Sequence, residues 1–422
     1  MIAEAAADLA DWSATDLIHG YRRQVITPSA VCEAVLARIE ALNPAVNAFI
    51  FVDAEGARAA AALSSERWRQ GAPQGLLDGV PVTVKDIMAM QGHPTRRGSK
   101  VLADAAPDPV DAPAPARLRA HGAVILGKTT TPEFGWKGVT DSALSGITRN
   151  PYDPGRTAGG SSGGAAAAAA LGMGALHIGT DGGGSIRMPA GFCGIVGHKP
   201  TFGRVPAWPT SHFGDLTHIG PMTRTVEDAA LMLTVLAEPD NRDWRRMTYH
   251  ERDYRAVLED GVRGWRVALC LDLGGARVSD GIASAVRAAA DVFAAAGATV
   301  EEIASPVPAT LTTFNTLWFA GAALLLDSLP ERSDLSLIDP GLRAIADTAL
   351  GYSAMDLQRA HRARGAAAEA LSTLHDRYDL LLTPTLPLTA FEAGTDSPYG
   401  GIWSEWSPFT YPFNLSQQPA CS

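Results

Sequence analysis

Cysteine is scarce in this sequence, with four residues among 422, and they lie far apart at Cys32, Cys193, Cys270 and Cys421. None forms a Cys-x-x-Cys pair with another, which is the spacing typical of redox and zinc sites. Reduced thiols in a cytoplasmic protein therefore fit this pattern better than a disulfide framework or a zinc site does.

Positive charge and long apolar runs are also lacking. The net charge is −10 and the isoelectric point is near 5.5, and no basic patch stands out that would attract nucleic acid or an anionic membrane. No run reaches the roughly 18 apolar residues that a membrane span needs. The first basic residue, Arg22, follows several acidic ones, so the start does not resemble a secretory signal. We expect no nucleic-acid and no membrane partner.

Small and apolar residues are plentiful. Hydrophobic residues make up 46% and charged residues 19% of the chain, which is typical of a soluble globular protein. The 42 glycines and abundant alanines indicate closely packed backbones. The length would allow two or three domains.

Apolar runs alternate with helical patterns along the chain, which predicts an α/β fold with a mixed sheet. We expect helices at 28–42, 54–70, 165–171 and 281–296, and a mainly helical segment at 311–375. We expect strands at 47–52, 80–84, 123–126, 265–271, just after 297 and at 380–383, and a polar glycine-rich loop at 145–164. Asn43-Pro44 is the expected stop of the first of these helices.

Residues 122–129, GAVILGKT, fit the phosphate-loop pattern G-x-x-x-x-G-K-[ST]. A phosphate loop needs backbone N–H groups that point at the anion. Here the residues between the glycines are Ala-Val-Ile-Leu, an apolar strand. We therefore interpret this segment as a turn and a buried strand rather than a nucleotide site.

Residues 159–163, GGSSG, fit the G-x-S-x-G pattern of a nucleophile elbow. An elbow serine follows a strand, but residues 149–157 are polar and contain two prolines. A glycine-rich turn that begins the alanine helix is the better interpretation of Ser161 as structure.

Residues 179–187, GTDGGGSIR, place Ser185 directly after Gly182, Gly183 and Gly184. Consecutive glycines allow several N–H groups to converge on one side. A serine beside converging amides has the two parts that acyl transfer needs, a nucleophile and a site for the oxyanion.

A nucleophilic serine also needs a base. None of the ten histidines lies in a local motif with either serine, although His177 and His198 are near Ser185 in sequence. Lys85 follows an apolar strand, and burial would favour its neutral form, which can accept a proton. From the residues alone, an exposed lysine at a strand end is the favoured interpretation.

Three segments taken together resemble the amidase-signature family: GVPVTVKD at 79–86, GGSSGG at 159–164 and GTDGGGSIRMPAGFCGIVGHKPT at 179–201. TRRGS at 95–99, NPYDPGRTAGGSSGG at 150–164 and HIGPMTRTVEDAA at 218–230 extend the resemblance. It runs from about residue 10 to the end, and its motifs are long and in fixed order.

The resemblance implies a serine amide hydrolase that needs no cofactor or metal and acts on a small-molecule amide. It implies Ser185 as nucleophile, Ser161 as relay after a cis Gly160–Ser161 bond, and Lys85 as base. The amides of Gly182, Gly183 and Gly184 would form the oxyanion hole, supported by Ser162, Asp181 and Arg187. Arg187 would pair with Asp181 rather than with an acidic substrate group.

The family also implies one domain over 1–422, with a mixed sheet between helices. Its parts would be a helical region at 1–70, the signature core at 75–230 and the helical segment at 311–375. Family members usually extend beyond the position of Pro419 and Ala420, so we expect the family's C-terminal tail to be absent. A homodimer is left open.

Two other functions are kept as alternatives. One is the A subunit of a glutamyl-tRNA amidotransferase, whose relatives usually read D-Q-I-G-P at 217–221 and carry an acidic residue near Ser407. The other is a non-catalytic binding protein on the same fold. The family usually has Ile or Thr at Gly182, which predicts a looser oxyanion loop here.

The substrate remains open between aliphatic, aryl and carboxylated amides. Seven aromatic residues are candidates for an apolar pocket, although ordinary core packing is the simpler interpretation for most of them: Trp136, Phe192, Trp208, Phe213, Trp318, Trp403 and Trp406.

Overall fold

A computed structural model describes residues 8–422, and its helices and strands form the predicted α/β fold. The helices are α1 Ala14–Arg22, α2 Pro28–Val46, α3 Ala54–Arg69, α4 Pro113–Ala120, α5 Gly163–Ala170, α6 Arg187–Cys193, α7 Val226–Leu236, α8 Asp280–Ala295, α9 Leu311–Asp327, α10 Pro340–Ala349, α11 Ala354–Leu374 and α12 Pro412–Leu415. The strands are β1 Phe49–Val52, β2 Pro81–Lys85, β3 Val124–Thr129, β4 Asp141–Ser142, β5 Gly146–Ile147, β6 Leu176–Asp181, β7 Val196–Lys199, β8 His218–Thr223, β9 Arg266–Leu269, β10 Thr299–Glu302, β11 Leu380–Leu382 and β12 Ala420–Cys421.

The main sheet has seven strands in the order β1-β3-β2-β6-β8-β7-β12 and is mixed, as predicted. The central strands β3, β2 and β6 are parallel, whereas β1, β8, β7 and β12 pair antiparallel with their neighbours. In the register of β2 and β6, Val84 lies opposite Ile178. Lys85 and the last residues of β6 are therefore neighbours at the carboxyl edge of the sheet.

Helix α5 packs directly on the middle of this sheet. Its alanines from 165 to 169 are fully buried, and the helix contacts β2, β3, β6 and β8. A Cβ on Gly164 would lie 2.5 Å from the carbonyl oxygen of Ala48, so only glycine fits there. Small side chains thus let the helix approach the strands closely, and its first turn begins near the carboxyl edge of the sheet.

Two predicted boundaries were wrong. Helix α2 does not stop at Asn43-Pro44 but continues to Val46, and Asn47 ends it with a φ of 53°. The proline removes one hydrogen bond of the last turns, and the Asn43 side chain stabilises the end of the helix by accepting from the amides of Ala48 and Phe49. The glycine-rich loop also ends earlier than 164, because α5 starts at Gly163.

A second sheet, β10-β9-β11, is parallel throughout. Strand β9, helix α8 and strand β10 form the predicted β-α-β unit, and the predicted helical segment 311–375 contains α9, α10 and α11. Between residues 8 and 422, every helix is too short or too polar to cross a membrane.

Candidate active site

Lys85 lies at the end of β2 with its side chain fully buried. Its Nζ lies 2.7 Å from Ser161 Oγ, 2.9 Å from Ser162 Oγ and 2.9 Å from Thr180 Oγ1. All three partners are neutral hydroxyl groups. In the described part of the chain, no carboxylate forms an ion pair with this amine.

This surrounding favours the neutral amine. Burial holds the pKa of Lys85 well below its usual value, and the negative charge of nearby Asp181 opposes that effect only in part. The alternative of an exposed lysine at a strand end is therefore wrong, and Lys85 has the physical properties of a proton acceptor.

The hydroxyl protons around Lys85 can be partly assigned. Ser162 Oγ lies 3.2 Å from the carbonyl oxygen of Thr180, to which it donates, so it accepts from Lys85. Thr180 and Ser161 remain as the groups that can donate to a neutral amine. Ser161 follows a cis peptide bond from Gly160, as the family resemblance implies.

Ser185 lies next to this cluster, in the turn between β6 and α6. The amide of Ser162 donates to the carbonyl oxygen of Ser185 over 3.1 Å, which joins the two serine segments. Both Ser161 and Ser185 are buried. Among residues 8–422 no hydrogen bond joins their hydroxyl groups, so the relay from Ser185 to Ser161 stays a prediction.

Asp181 organises the glycine turn before Ser185. Its carboxylate accepts from the Gly184 amide at 2.8 Å, from the Ile186 amide at 3.2 Å and from Arg187 at 2.9 Å. Burial alone would raise the pKa of Asp181, but the charge and hydrogen bonds of Arg187 outweigh it and the pKa is lowered. Arg187 therefore holds the loop, in the arrangement favoured from the sequence.

The oxyanion hole needs one correction. Gly184 was expected to supply an N–H group, but that N–H already donates to Asp181. The amides of Gly182, Gly183 and Ser185 find no acceptor within residues 8–422. Because the Asp181 carboxylate fixes the turn from which these donors project, Gly182, Gly183 and Ser185 are the better candidates for binding an oxyanion.

Gly182 makes room for an aromatic side chain. A Cβ at this position would lie 2.8 Å from Cζ3 of Trp318, and one on Gly183 would lie 2.6 Å from Trp403. The family usually has Ile or Thr at this position, whereas here glycine leaves room for the Trp318 indole to pack on the turn. The looser loop stays a prediction, and Trp318 occupies the space into which a side chain at Gly182 would extend.

Most of the aromatic candidates are core residues, as the simpler interpretation held. Six of them pack in or against one apolar cluster beside the glycine turn: Trp136, Phe192, Phe213, Trp318, Trp403 and Trp406. Phe213 stacks on Trp318 with ring centroids 3.8 Å apart. Trp208 lies outside this cluster, beneath the guanidinium of Arg242.

The phosphate-loop resemblance is coincidental, as expected. Gly127, Lys128 and Thr129 continue strand β3 instead of forming a loop. Lys128 is buried, and its Nζ lies 3.1 Å from the Asp86 carboxylate and 2.5 Å from Thr95 Oγ1.

Within residues 8–422, neither His177 nor His198 forms a hydrogen bond with Ser185. His177 is fully buried with Nδ1 at 2.8 Å from Thr83 Oγ1, and burial lowers its pKa to about 3. Burial, together with the positive charge of Lys199, lowers the pKa of His198 to about 4.

Sequence reasoning missed Thr180 and Asn414. Thr180 is the residue before the last in β6, which pairs in parallel with β2, so strand pairing was the signal that placed it beside Lys85. Asn414 donates to the carbonyl and the carboxylate oxygens of Asp181, both at 2.9 Å. The two residues are 233 positions apart in the sequence, and no local pattern indicates the contact.

A buried lysine among hydroxyl groups, next to a serine with converging amides, is the arrangement of a serine amide hydrolase. The family model described as Amidase matches residues 30–422, and the chain belongs to this family, the amidase-signature enzymes. It is a hydrolase of carbon–nitrogen amide bonds that acts on small molecules.

The acylamidase of Rhodococcus erythropolis is 36% identical over 420 residues, 97% of this chain and 87% of the relative. The A subunit of the glutamyl-tRNA(Gln) amidotransferase of Anaeromyxobacter sp. (strain K) is 40% identical over 351 residues, 83% of this chain and 69% of the relative. The crystal structure of a bacterial aryl acylamidase matches with a TM-score of 0.91 and 32% identity, over 97% of this chain and 89% of that one. Both the main function and the amidotransferase alternative are thus represented among relatives.

Proposed function

We propose that Ser185 is the nucleophile of this amidase, with Ser161 as proton relay and Lys85 as base. The observation that carries the proposal is the pair of Lys85 Nζ and Ser161 Oγ, 2.7 Å apart in a buried site without a carboxylate partner for the amine. Burial among hydroxyl groups makes this lysine lose its proton more easily, and a neutral amine can take a proton from a hydroxyl group.

In the first half of the reaction, Ser185 Oγ attacks the carbonyl carbon of the amide. The Ser185 proton moves to Ser161 while the Ser161 proton moves to Lys85. The oxyanion accepts hydrogen bonds from the free amides of the glycine turn. The proton then returns along the same path to the leaving nitrogen, the C–N bond breaks, and the amine or ammonia departs.

In the second half, Ser185 carries the acyl group as an ester. Water attacks this ester, with its proton accepted through the same relay, and the oxyanion forms again in the same place. Collapse of this intermediate releases the carboxylate and restores the Ser185 hydroxyl. The net change is one water consumed for each amide cleaved.

Labelling with a fluorophosphonate, followed by mass spectrometry of the peptides, tests the assignment. We expect the label on Ser185 and none in a Ser185→Ala variant. Label on Ser161 would contradict the proposal and revive the nucleophile-elbow interpretation. An unlabelled wild-type protein would support a non-catalytic binding protein.

We propose that the chain acts as a self-contained amidase rather than as part of an amidotransferase complex. Ser407, near the place of the acidic residue expected in that complex, is a buried hydroxyl bonded to the carbonyl oxygens of Trp403 and Ser404. Such a site offers no negative charge for the amine of glutamine. Ammonia or amine release by the purified chain alone is expected; glutaminase activity only with B- and C-type subunits would favour the amidotransferase.

A further part of the proposal concerns the compartment and the oligomeric state of the protein. We propose one domain that works in the cytoplasm, either alone or as a homodimer. The four cysteines, none of them in a disulfide, suit a reducing compartment. Light scattering coupled to size exclusion measures the oligomeric state, and a mixed complex with another protein would contradict it.

A further inference from the structure

A cavity of about 230 Å³ opens beside the Lys85 cluster. Thr180, whose hydroxyl lies 2.9 Å from Lys85 Nζ, forms part of its wall, together with Ile87 and Phe134. The next residue, Gly135, backs directly on the relay serine, because a Cβ there would lie 3.2 Å from Ser161 Oγ. Lys85, Ser161 and Ser185 do not line the cavity themselves, but Thr180 in its wall contacts Lys85, so the cavity lies next to the groups of the proposed proton path.

The cavity wall contains two arginines, Arg97 and Arg245, and one histidine, His212, whose pKa is lowered by burial and by the charge of Arg97. Arg245 lies 3.8 Å from the Asp243 carboxylate and over the ring of Phe202, so its charge is already matched. The cavity wall, as far as residues 8–422 form it, contains no acidic side chain. Its electrostatic field therefore favours an anionic group.

Arg97 differs from the other two because its guanidinium has no partner. Within residues 8–422 it forms neither an ion pair nor a hydrogen bond, whereas His212 lies 2.9 Å from Ser328 Oγ. Burial lowers the pKa of Arg97, with the charges of Asp108 and Asp86 opposing, and the group stays charged. A partly buried charge without a partner is costly unless a ligand supplies one.

The nearest carboxylates, Asp86 and Asp108, have other partners, although only one oxygen of Asp86 is engaged. Asp86 lies 3.1 Å from Lys128, and Asp108 accepts from Thr95 Oγ1 at 2.5 Å and from the Met90 amide at 3.2 Å. The backbone also fixes Arg97: its φ is 53°, and its carbonyl oxygen accepts from the Phe134 amide at 2.7 Å. The main chain of Arg97 is thus fixed next to Phe134 of the cavity wall, and the side chain contributes to that wall.

We propose that Arg97 binds a carboxylate group of the amide substrate, so that carboxylated amides are the preferred substrate class. This inference rests on the proposed function of the Ser185 site. A guanidinium matches a carboxylate with two parallel N–H···O bonds, which gives both affinity and orientation. An uncharged amide leaves the same guanidinium without a partner and loses that contribution.

The test compares two matched pairs of anilides with the full-length protein. N-phenylsuccinamic acid and butyranilide differ by a carboxylate on the acyl side, and 4-acetamidobenzoate and acetanilide differ by one on the amine side. We expect kcat/KM to favour the carboxylated member of one pair by about 10- to 100-fold. Arg97→Gln should bring that ratio near one, mainly through KM, while Arg97→Lys should retain part of the preference.

Arg96→Gln is the matched control, because the Arg96 side chain donates to the carbonyl oxygen of Ala103 at 3.0 Å and takes no part in the cavity wall. It should leave the ratio unchanged. Competition of the same four anilides with fluorophosphonate labelling of Ser185 gives a second readout, of binding alone.

Three outcomes would overturn the inference. The wild-type protein could show no preference in either pair, Arg97→Gln could leave an existing preference intact, or it could slow both members of each pair equally while lowering the melting temperature. In the last case Arg97 balances the buried Asp86 Oδ2, which has no hydrogen-bond partner among the described residues. Continued hydrolysis of butyranilide or acetanilide in any of these cases leaves the proposed function standing.

Discussion

Lys85 and Lys137 are both buried lysines, yet their surroundings prepare them for opposite roles. Lys85 contacts three hydroxyl groups. Lys137 contacts three carboxylates, with Nζ at 2.6 Å from Asp141, 2.7 Å from Asp396 and 3.3 Å from Asp339. Burial acts to lower the pKa of both amines, but around Lys137 the three negative charges outweigh it and the pKa is raised.

The charge of the neighbouring groups suits Lys85 to catalysis and Lys137 to stabilising the fold. A lysine with a lowered pKa loses its proton more readily and can then accept one, whereas a lysine with a raised pKa remains a fixed cation. Lys137 joins the segments of β4, the start of α10 and the loop around Asp396, so its charge ties distant parts of the chain together. Burial alone therefore does not mark a catalytic lysine; the charge of its partners decides.

The largest effect is expected at Lys85. Lys85→Ala should lower kcat by about 10²- to 10⁴-fold, because both proton transfers pass through this amine. Lys85→Arg should be equally inactive, since a guanidinium stays protonated. Steady-state kinetics with a hydrolysed amide measures this, and a Lys85→Ala enzyme that keeps more than about a tenth of kcat, a barrier change under about 1.4 kcal/mol, would remove Lys85 from the mechanism.

The pH dependence sharpens the same comparison. Activity should rise with pH as Lys85 loses its proton. Lys137→Met should leave this rise of activity at the same pH. The two lysines change the free energy of unfolding with pH in opposite directions. Lys85 has a lowered folded pKa, so it makes the fold more stable as pH rises toward the ordinary lysine value of about 10.4. Lys137 has a raised folded pKa, so its contribution is fully present below that value and is lost only above it.

Lys137→Met should act on stability instead of rate. Removing the cation leaves three carboxylates close together, and we expect the free energy of unfolding to fall by about 2–3 kcal/mol. The value is below that of a fully enclosed pair because the carboxylates reach solvent. Urea unfolding at neutral pH measures it. A loss below about 0.5 kcal/mol, the size of an ordinary surface substitution, would contradict a stabilising role for Lys137.

A smaller effect is expected at Ser162. Ser162→Ala removes one hydroxyl acceptor from Lys85 and should lower kcat by about tenfold, a barrier change of about 1.4 kcal/mol. Because the lost acceptor stabilised the charged amine, the pKa of Lys85 should fall further and the rising limb should move to lower pH. The pH profile of kcat measures both changes.

The control for Ser162→Ala is Ser64→Ala. Ser64 is buried in α3, and its hydroxyl has no hydrogen-bond partner within residues 8–422. Its removal should change neither kcat nor the pH profile. A pH profile that stays unmoved in Ser162→Ala would show that Ser162 does not act on Lys85.

The parts of this site that were predictable from the sequence depend on local patterns. Apolar runs located β2 and β3, and the motifs placed Lys85 at a strand end and Ser185 after three glycines. The occupied Gly184 amide was not predictable, because it depends on how the turn wraps around Asp181. Asn414 and the cavity position of Arg97 depend on long-range packing, which a short motif does not encode.

Helix α5 has a consequence for how this enzyme can change. Its alanines and Gly164 leave no space for a larger side chain, and the serines that contact Lys85 stand at its first turn. Any bulky replacement there would push the relay away from the amine. Changes of substrate range are therefore better made at the cavity residues outside this helix, such as Phe213 and Leu325, while the alanine helix keeps the position of the serines constant.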